Sequence, residues 1–375
     1  MTETDIIERV ADDPCAAGIR LVAAGRRPEA LALYDRAIRS DPTNALARFS
    51  RALLRLSAGD LAGGWRDYAY RLKIKGKSLQ YAHGLPKWTG GVLKRTRLLV
   101  TAEPGIGDQI AFASIIPDLA SWADRAGGTL LLEADPRLVA LFVRSFPHVL
   151  VRAAEIDERG GARIARYDWL AAAGGADAAI ELASLPRFLR RKIGDFPARR
   201  SYLVPDEADV ARCSAWLRTL GPRPYIGLDW RSGDGGGQHA APLGEWARFA
   251  ASLGGTLVSL QSGATPKEIV EFAALSGRGI TVIPALDPRN EIDRTAAFIA
   301  ALDAVVSAPT AVSWIAAGLG VPTYKILADA SWTSFGQDHE PFAPACRCMT
   351  PMAGGDWADV FARTVPFLMP APRPA

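Results

Sequence analysis

After residue 90, segments with a strand-like pattern of apolar residues alternate with segments of helical pattern, as is typical of an α/β domain. Apolar runs of strand length are separated by longer segments with helical periodicity. The pattern predicts strands at Arg97–Ala102, Thr129–Glu133 and Val149–Val151, and helices at Asp108–Ala126 and Arg137–Arg144. Strand, helix and strand in succession predict a parallel sheet with right-handed crossovers.

A second alternation of the same kind begins at Tyr225. It predicts strands at 225–230, 256–261, 280–284, 304–308 and 323–327, and helices at 244–253, 295–302 and 310–319. The two alternations together predict two α/β lobes that are joined near residues 205–222. Lobes of this kind bind ligands in the crevice beyond the carboxyl ends of their strands.

The first 80 residues carry an internal repeat. A shift of 34 residues brings Gly25 onto Gly59 and Tyr34 onto Tyr68, and Pro42 closes the first copy. Small residues recur where two antiparallel helices would touch, and the tyrosine would fill the groove between units. The spacing resembles the tetratricopeptide repeat, of which about two units are visible. A plain pair of helical hairpins is the alternative.

Charge and composition restrict the classes of protein to which the chain can belong. The 44 Lys and Arg residues nearly balance 40 Asp and Glu residues without forming long basic runs, so nucleic acid is not an expected partner. The densest basic patch lies at 187–192 and 199–200. We interpret it mainly as a solvated face, and a docking surface for an acidic partner is the alternative.

Cysteine spacing and hydropathy favour a reducing compartment. The four cysteines fit no zinc ligand set, and no metal site is expected. Cys346 and Cys348 are expected to be free thiols, and a redox pair is the alternative. The acidic start of the chain is unlike a signal peptide. No uncharged apolar run reaches the ~18 residues that a membrane span requires. We therefore expect a cytoplasmic protein without a membrane span.

Several motifs after residue 60 resemble, in their order and spacing, one group of bacterial proteins. The motifs are WRDYAYR (65–71), LLVTAEPGIGDQIAFASIIP (98–117), AIELASLP (179–186), YIGLDWRSG (225–233), TLVSLQSG (256–263), the stretch at 293–324 and GDW (355–357). In the proteins that they resemble, tetratricopeptide repeats are fused to a domain similar to the heptosyltransferase family of GT-B glycosyltransferases. At the level of architecture, the chain also looks like the protein O-glycosyltransferases that modify serine and threonine.

The resemblance implies a fold class and a domain order. The fold would be α/β, with a GT-B-like pair of Rossmann-type lobes preceded by an all-α tetratricopeptide-like helical arm. The arm would occupy residues 1–80, the acceptor-side lobe 90–205 and the nucleotide-sugar lobe 215–375.

The turn PGIGDQ (104–109) is the candidate catalytic turn. Its glycines allow a tight passage from strand to helix, which places Asp108 at or beside the helix N-terminus. Inverting glycosyl transfer needs a base for the acceptor hydroxyl. The aspartate of this turn is the proposed base in the resembling family, so the resemblance implies that role for Asp108. Gly105, Gly107 and Gln109 would then lie on the acceptor side.

Two other interpretations of this turn remain. Asp108 could be a helix N-cap without any catalytic role. Gly105 and Gly107 also fit the start of a dinucleotide fingerprint, with Glu133 as a ribose ligand, although Ile110 stands where the third glycine belongs. That second interpretation would make the protein a nicotinamide-dependent enzyme.

The donor nucleotide is expected at the second lobe. In SAPTA (307–311), the N–H groups of Thr310 and Ala311, together with the Thr310 hydroxyl, would meet a diphosphate at a helix N-terminus, and Ser307 ends the preceding strand. A simple Thr310 N-cap is the alternative.

Polar and aromatic residues end two further strands at the same edge: Trp230, Arg231, Ser232, Gln261 and Ser262. Arg231 could neutralise phosphate or be an ordinary surface arginine. Gln261 and Ser262 could contact the base or ribose. The run GDGGGQH (233–239) predicts a loop over the crevice, from which His239 either reaches the substrate or faces solvent.

Three positions depart from the family pattern. Pro309 stands where the family has an aspartate, Trp314 where it has a histidine, and Pro104 where glutamine is common. Two functions are therefore weighed. The first is an inverting, metal-independent glycosyltransferase without a cofactor, which uses a nucleotide-diphosphate sugar and a protein or glycan hydroxyl. In this hypothesis the repeats would present a protein acceptor. The second is a catalytically degenerate scaffold that binds proteins, for example in a flagellar or surface-glycan assembly.

Overall fold

The computed structural model describes residues 14–74, 79–159, 162–232, 241–352 and 355–369. Contacts divide the chain into two compact units. The helical unit comprises Met1–Gly84, Glu155–Ala173 and Ser184–Phe196, and the α/β unit comprises Leu85–Ala154, Gly174–Ala183 and Pro197–Ala375. The first segment ends close to the boundary predicted at residue 80. Two segments of the region predicted as the acceptor-side lobe group with the helices instead.

Strands and helices alternate along the α/β unit, as predicted. The elements of both units are numbered together in chain order. The strands are β1 (Gln80–Tyr81), β2 (Arg97–Thr101), β3 (Thr129–Ala134), β4 (Leu150–Ala153), β5 (Glu155–Arg159), β6 (Ala162–Arg166), β7 (Ala178–Glu181), β8 (Tyr225–Asp229), β9 (Thr256–Ser259), β10 (Thr281–Val282), β11 (Ala304–Ser307), β12 (Thr323–Ile326) and β13 (Cys346–Met349). The helices are α1 (Pro14–Ala23), α2 (Arg27–Ser40), α3 (Ala45–Ser57), α4 (Leu61–Tyr68), α5 (Ile106–Ala113), α6 (Ile116–Arg125), α7 (Val139–Ser145), α8 (Trp169–Ala172), α9 (Pro186–Leu189), α10 (Glu207–Leu220), α11 (Leu243–Ala251), α12 (Pro266–Ser276), α13 (Ile292–Ala300), α14 (Ala311–Gly318) and α15 (Trp357–Leu368). None of these described helices is long and apolar enough to cross a membrane.

Helices α1 to α4 form two successive hairpins in the helical unit. A Cβ at Gly18 of α1 would overlap the buried ring of Tyr34 in α2. In the second hairpin, a Cβ at Gly64 would lie 2.6 Å from the side chain of Leu56. The small residues therefore stand where the helices touch, and the hairpins are compatible with the repeat expected from the sequence.

A buried carboxylate holds the second hairpin together. Asp67 of α4 is 2% exposed and accepts hydrogen bonds of 2.7–3.1 Å from Arg48, Arg51 and Arg55 of α3. Because these arginines are spaced by three and four residues, they lie on one face of α3. Arg51 also donates to Asp35 of α2 at 2.7 Å, which connects the two hairpins.

A small sheet completes the helical unit. Its order is β1-β6-β5, with β6 antiparallel to β5 and parallel to β1. This sheet is not predictable from the apolar pattern, because β1 has only two residues and β5 and β6 are rich in charged residues. Arg166 of β6 pairs with Asp157 of β5 at 3.3 Å, so the charges that hide the strands in the sequence also pair across them.

The first lobe of the α/β unit is a four-stranded parallel sheet of order β4-β3-β2-β7. Its centre is the fully buried run Leu98–Val100 of β2. The single helix predicted at 108–126 is wrong, because the chain forms α5 and α6 with a break at 114–115. Pro117 lies in the first turn of α6 and has no N–H with which to continue α5.

The second lobe is a six-stranded parallel sheet of order β10-β9-β8-β11-β12-β13. Five of its strands were predicted. The edge strand β13 was missed, because exposed Arg347 interrupts its apolar pattern. The segment predicted as a joint, 205–222, instead contains α10, which buries only Cys213 and Leu217 and therefore has a weak helical pattern.

The Asp67 network generates a stability prediction. Asp67→Asn removes the buried charge that three guanidinium groups share, so the free energy of unfolding of the helical unit should fall by ~3–5 kcal/mol. Asp157→Asn is the matched control in the same unit, since its ion pair is more exposed and should contribute less than about 1 kcal/mol. Urea denaturation followed by circular dichroism measures both. Equal effects of the two substitutions would contradict the assignment.

Candidate active site

The first turns of α5 and α14 face each other at the crevice between the two lobes. The α5 turn follows β2, and the α14 turn follows β11, so both stand at carboxyl ends of parallel strands. A Cβ at Gly107 would lie 3.7 Å from Cδ1 of Trp314 and 3.9 Å from Cα of Ala311. The structure therefore brings the predicted acceptor-side turn against the predicted donor-side turn.

Asp108 is exposed at the third position of α5. The N-cap of this helix is Gly105, so the interpretation of Asp108 as an N-cap residue is wrong. A Cβ at Gly105 would lie 2.9 Å from Oδ2 of Asp108, which means that the carboxylate folds back over the helix N-terminus. The helix dipole stabilises the anion there. Asp108 is thus an accessible carboxylate at the N-terminus of α5.

Gln109, which was expected on the acceptor side, is a buried clamp. Its side-chain amide donates to the Glu103 carbonyl at 2.6 Å and accepts from the Asp135 N–H at 2.8 Å. The residue is only 3% exposed. This corrects the expectation that Gln109 contacts the acceptor, because both ends of its amide fix the loops that follow β2 and β3.

Glu133 is not placed to be the ribose ligand that the dinucleotide interpretation requires. Glu133 is buried, and its Oε2 accepts a hydrogen bond from the Ala102 N–H at 2.9 Å. Ile110, at the place of the third glycine, is also buried. Glu133 therefore supports the neighbouring loop rather than a nicotinamide dinucleotide.

A buried carboxylate that the sequence analysis did not single out lies under the donor-side turn. Asp229 ends β8 and is paired in register with Ser307 of β11. Its Oδ2 accepts from the Ser307 hydroxyl at 2.9 Å and from the Thr310 hydroxyl at 2.5 Å. Burial raises the pKa of Asp229 to about 7, although the two hydroxyl donors and nearby Arg231 act in the opposite direction. The sequence signal that could have identified Asp229 is a polar residue at the end of an otherwise apolar strand.

Thr310 is the N-cap of α14, as the alternative interpretation held. Its hydroxyl accepts from the Val312 N–H at 3.2 Å, and its own N–H donates to the Ala308 carbonyl at 2.8 Å. This corrects the expectation that the N–H and hydroxyl of Thr310 meet a diphosphate, because both groups are engaged. The Ala311 N–H remains at the head of the helix, where backbone donors have no partner within the helix.

Arg231 and Trp230 both bind Glu268. The Arg231 guanidinium contacts both Glu268 oxygens at 3.0 Å and also donates to the Gly263 carbonyl. The hydrogen bond from Arg231 is the main reason why the pKa of Glu268 is lowered. The Trp230 side chain is buried and stacks on Phe272, so it is not placed to contact a donor, which corrects that expectation. Arg231 is only partly exposed and already has a carboxylate partner.

Gln261 is a second buried clamp. Its Oε1 accepts from the N–H groups of Trp230 and Arg231, and its Nε2 donates to the carbonyls of Arg231 and Ser262. These four bonds use the full capacity of an amide side chain. The expectation that Gln261 contacts the base or ribose is therefore corrected. Ser232 and Ser262 are partly exposed at this edge, and their contact with a donor stays a prediction.

Trp314 is held in place from within the second lobe. The Lys325 ammonium lies 3.7 Å from the centre of the Trp314 ring. Lys325 is itself buried and forms a 2.7 Å ion pair with buried Glu340. A lysine inside the apolar strand TYKIL was the sequence signal for this pair. Because the cation and its partner are both buried, Trp314 is a fixed wall of the crevice.

The remaining expectations concern the cysteines and the glycine-rich loop. Cys346 and Cys348 are free thiols, as predicted, and burial raises the pKa of Cys346 to about 12. Among the described residues, no group of His, Cys, Asp and Glu is arranged to hold a metal ion. The loop predicted at 233–239, with His239, lies outside the described residues.

This chain is similar in sequence to a curated bacterial protein. No protein-family model matches this sequence. Protein FlbA from Caulobacter vibrioides is 32% identical over 355 residues, which cover 90% of this chain and 58% of that protein. The chain thus spans well under two thirds of the length of this curated relative.

Two solved structures are similar in three dimensions. The crystal structure of the glycosyl transferase family 9 protein from Veillonella parvula has a TM-score of 0.52 at 13% identity, covering 74% of this chain and 93% of that chain. Escherichia coli ADP-heptose lps heptosyltransferase II has a TM-score of 0.49 at 16% identity, covering 69% and 91%. The first similarity, together with the two parallel sheets and the preceding helices, confirms the predicted GT-B-like α/β fold class.

Asp229 generates a pH prediction. The folded protein keeps a proton on Asp229 at pH values where the unfolded chain has lost it, so its stability falls as the pH rises from about 4 to about 7. Asp229→Asn abolishes this titration and can still accept a hydrogen bond. The unfolding free energy of the wild type minus that of Asp229→Asn should decrease by roughly 2–3 kcal/mol between about pH 5 and about pH 8. Urea titrations at both pH values measure it, and a constant difference would refute the raised pKa.

Proposed function

We propose that this protein is a glycosyltransferase that moves a sugar from a nucleotide-diphosphate sugar to a hydroxyl group. The observation that carries the proposal is the placement of an exposed carboxylate, Asp108, in a turn that packs directly against the N-terminus of α14 at Ala311. A base and an anion-binding helix end thus meet at one crevice. The fold shared with a glycosyl transferase family 9 protein supports the same reaction class.

In the proposed reaction, Asp108 removes the proton of the acceptor hydroxyl while the oxygen attacks the anomeric carbon of the donor. The bond from that carbon to the diphosphate oxygen breaks as the new glycosidic bond forms, so the configuration inverts. The nucleoside diphosphate leaves with the electron pair. Asp108 keeps the proton until it exchanges with water.

The leaving diphosphate would be stabilised without a metal. The Ala311 N–H and the dipole of α14 offer positive potential at the helix N-terminus. Thr310 and Asp229 shape this turn rather than bind the ligand, since their polar groups are engaged with each other. Arg231, which follows β8 at the carboxyl edge of the second sheet, would add a further hydrogen-bond donor, and Glu268 would orient its guanidinium.

The acceptor would be a protein side chain or a glycan precursor. The helical unit supports a protein-binding role, because residues 14–74 contain eleven Lys and Arg but only five Asp and Glu. Such an excess favours acidic protein segments. We therefore propose that the helices recruit the acceptor while the α/β unit performs the transfer.

A catalytically degenerate scaffold is the second candidate. It is favoured by Pro309, which brings neither a carboxylate nor an N–H to the anion-binding turn, and by Trp314, which buried Lys325 fixes against Gly107. A scaffold of this kind would use its helical unit for binding and would not turn over nucleotide sugars.

Asp108 decides between the two candidates. Asp108→Asn keeps the size of the side chain but cannot accept a proton, so turnover should fall by ~10²–10⁴-fold. Loss of the charge from the first turn of α5 should cost only ~0.3–1 kcal/mol of stability. Release of nucleoside diphosphate from a panel of nucleotide sugars measures turnover, and calorimetry measures donor binding, which should be retained.

The matched control is Asp124→Asn. Asp124 is exposed in the same lobe, but it lies near the C-terminal end of α6 and outside the candidate catalytic turn. Its turnover should equal that of the wild type. Full activity of Asp108→Asn would remove Asp108 from the mechanism. A wild type that binds nucleotides but transfers or hydrolyses no sugar would support the scaffold.

A further inference from the structure

A cavity of about 290 Å³ opens in the second lobe, away from the crevice. It is lined by Gly320 and Pro322, which precede β12, and by Pro344 and Ala345, which precede β13. These residues stand at the amino ends of the strands, whereas the candidate active site stands at the carboxyl ends. The segment 198–200 forms the remaining wall. The cavity is therefore a separate site at the opposite edge of the same sheet.

Three arginines line this cavity, and two of them lack a close acidic partner. Arg199 is paired with Asp118 at 2.8 Å. Arg200 has no ion-pair partner among the described residues, and Arg347 reaches only Asp338, an exposed carboxylate at 3.8 Å. The described lining contains no acidic side chain. The cavity thus holds roughly two positive charges in excess, which an isolated surface arginine would not provide.

An aromatic ring beside the cavity contacts one of these cations. The Arg347 guanidinium lies over the Phe367 ring at 4.8 Å, and Phe367 stacks on Tyr324 at 5.5 Å. Tyr324 itself lines the cavity. A guanidinium in contact with an aromatic ring can still donate from its edge N–H groups, which can bind two oxygens of one anion.

We propose that this cavity binds a phosphate group, either as inorganic phosphate or as a small phosphate monoester. A dianion balances the charges of Arg200 and Arg347, whereas a single carboxylate balances only one of them. The planar forks of two arginines suit the oxygens of phosphate. The volume of about 290 Å³ is small for a ligand pocket, which favours a small anion over a whole nucleotide sugar.

The segment 199–203, which begins in the wall of the cavity, contacts both helices of the crevice. Arg199 donates to the Ser114 carbonyl, just after α5, and the Tyr202 hydroxyl donates to the Ile110 carbonyl within α5. The N–H groups of Tyr202 and Leu203 both donate to the Gly318 carbonyl at the end of α14. A phosphate bound to this segment would therefore order the connection that supports the site.

The test is a calorimetric titration of the full chain with inorganic phosphate and, separately, with glucose 1-phosphate, at constant ionic strength. The double variant Arg200→Gln/Arg347→Gln should lose at least about tenfold in affinity, since it removes both uncompensated charges. Arg218→Gln is the matched control, because Arg218 is an exposed arginine of the same unit on α10. Arg231→Gln reports on binding in the crevice instead. Arg218→Gln should keep the wild-type affinity and melting temperature, and the double variant should keep the wild-type melting temperature.

Each outcome decides the proposal without any measurement of sugar transfer. Equal affinity for both probes would identify inorganic phosphate as sufficient, and tighter binding of glucose 1-phosphate would identify a phosphate monoester. The proposal is overturned if neither probe binds the wild type. It is also overturned if the double variant binds as the Arg218→Gln control does, or if only Arg231→Gln loses affinity.

Discussion

The close approach of α5 and α14 at Gly107 is the constraint on which the candidate active site depends. It brings together two helix N-termini, each equivalent to about half a positive charge. Their mutual repulsion favours an anion between them, and the exposed carboxylate of Asp108 is one such anion. A diphosphate would be a second. Gly107 permits this arrangement because any side chain much larger than a methyl group would meet Trp314 and Ala311.

Buried polar side chains give this arrangement its rigidity. Gln109 joins the loops after β2 and β3, and Gln261 joins those after β8 and β9. Asp229 ties the end of β8 to the α14 turn through two hydroxyl groups. Because a buried polar group without partners is costly, these networks fix the loops that carry the accessible groups. The proposed chemistry would then rest on few groups, chiefly Asp108 and the Ala311 N–H.

The sequence predicted the parts of the fold that local patterns encode. The apolar runs of β2, β3, β8 and β11 and the glycine turn before Asp108 were all found in this way. The short strand β13 and the helix α10, which buries few apolar residues, were not predicted. The orientation of polar residues at strand ends could not be predicted, because Gln109 and Gln261 bond to loops that are 26 and 30–31 residues distant in the chain. Only the folded structure shows whether such a side chain faces a ligand or a neighbouring loop.

Hydrogen exchange of the full chain with and without nucleoside diphosphates tests most directly whether the crevice is the donor site. Backbone N–H groups that bind or lie beneath a phosphate exchange more slowly, because opening of that segment becomes less favourable. The account predicts that the best-binding nucleoside diphosphate protects residues 307–314, at the head of α14, together with the turn at 104–109. Protection confined to other segments, such as 198–203 and 344–348 at the basic cavity, would contradict a donor site between α5 and α14.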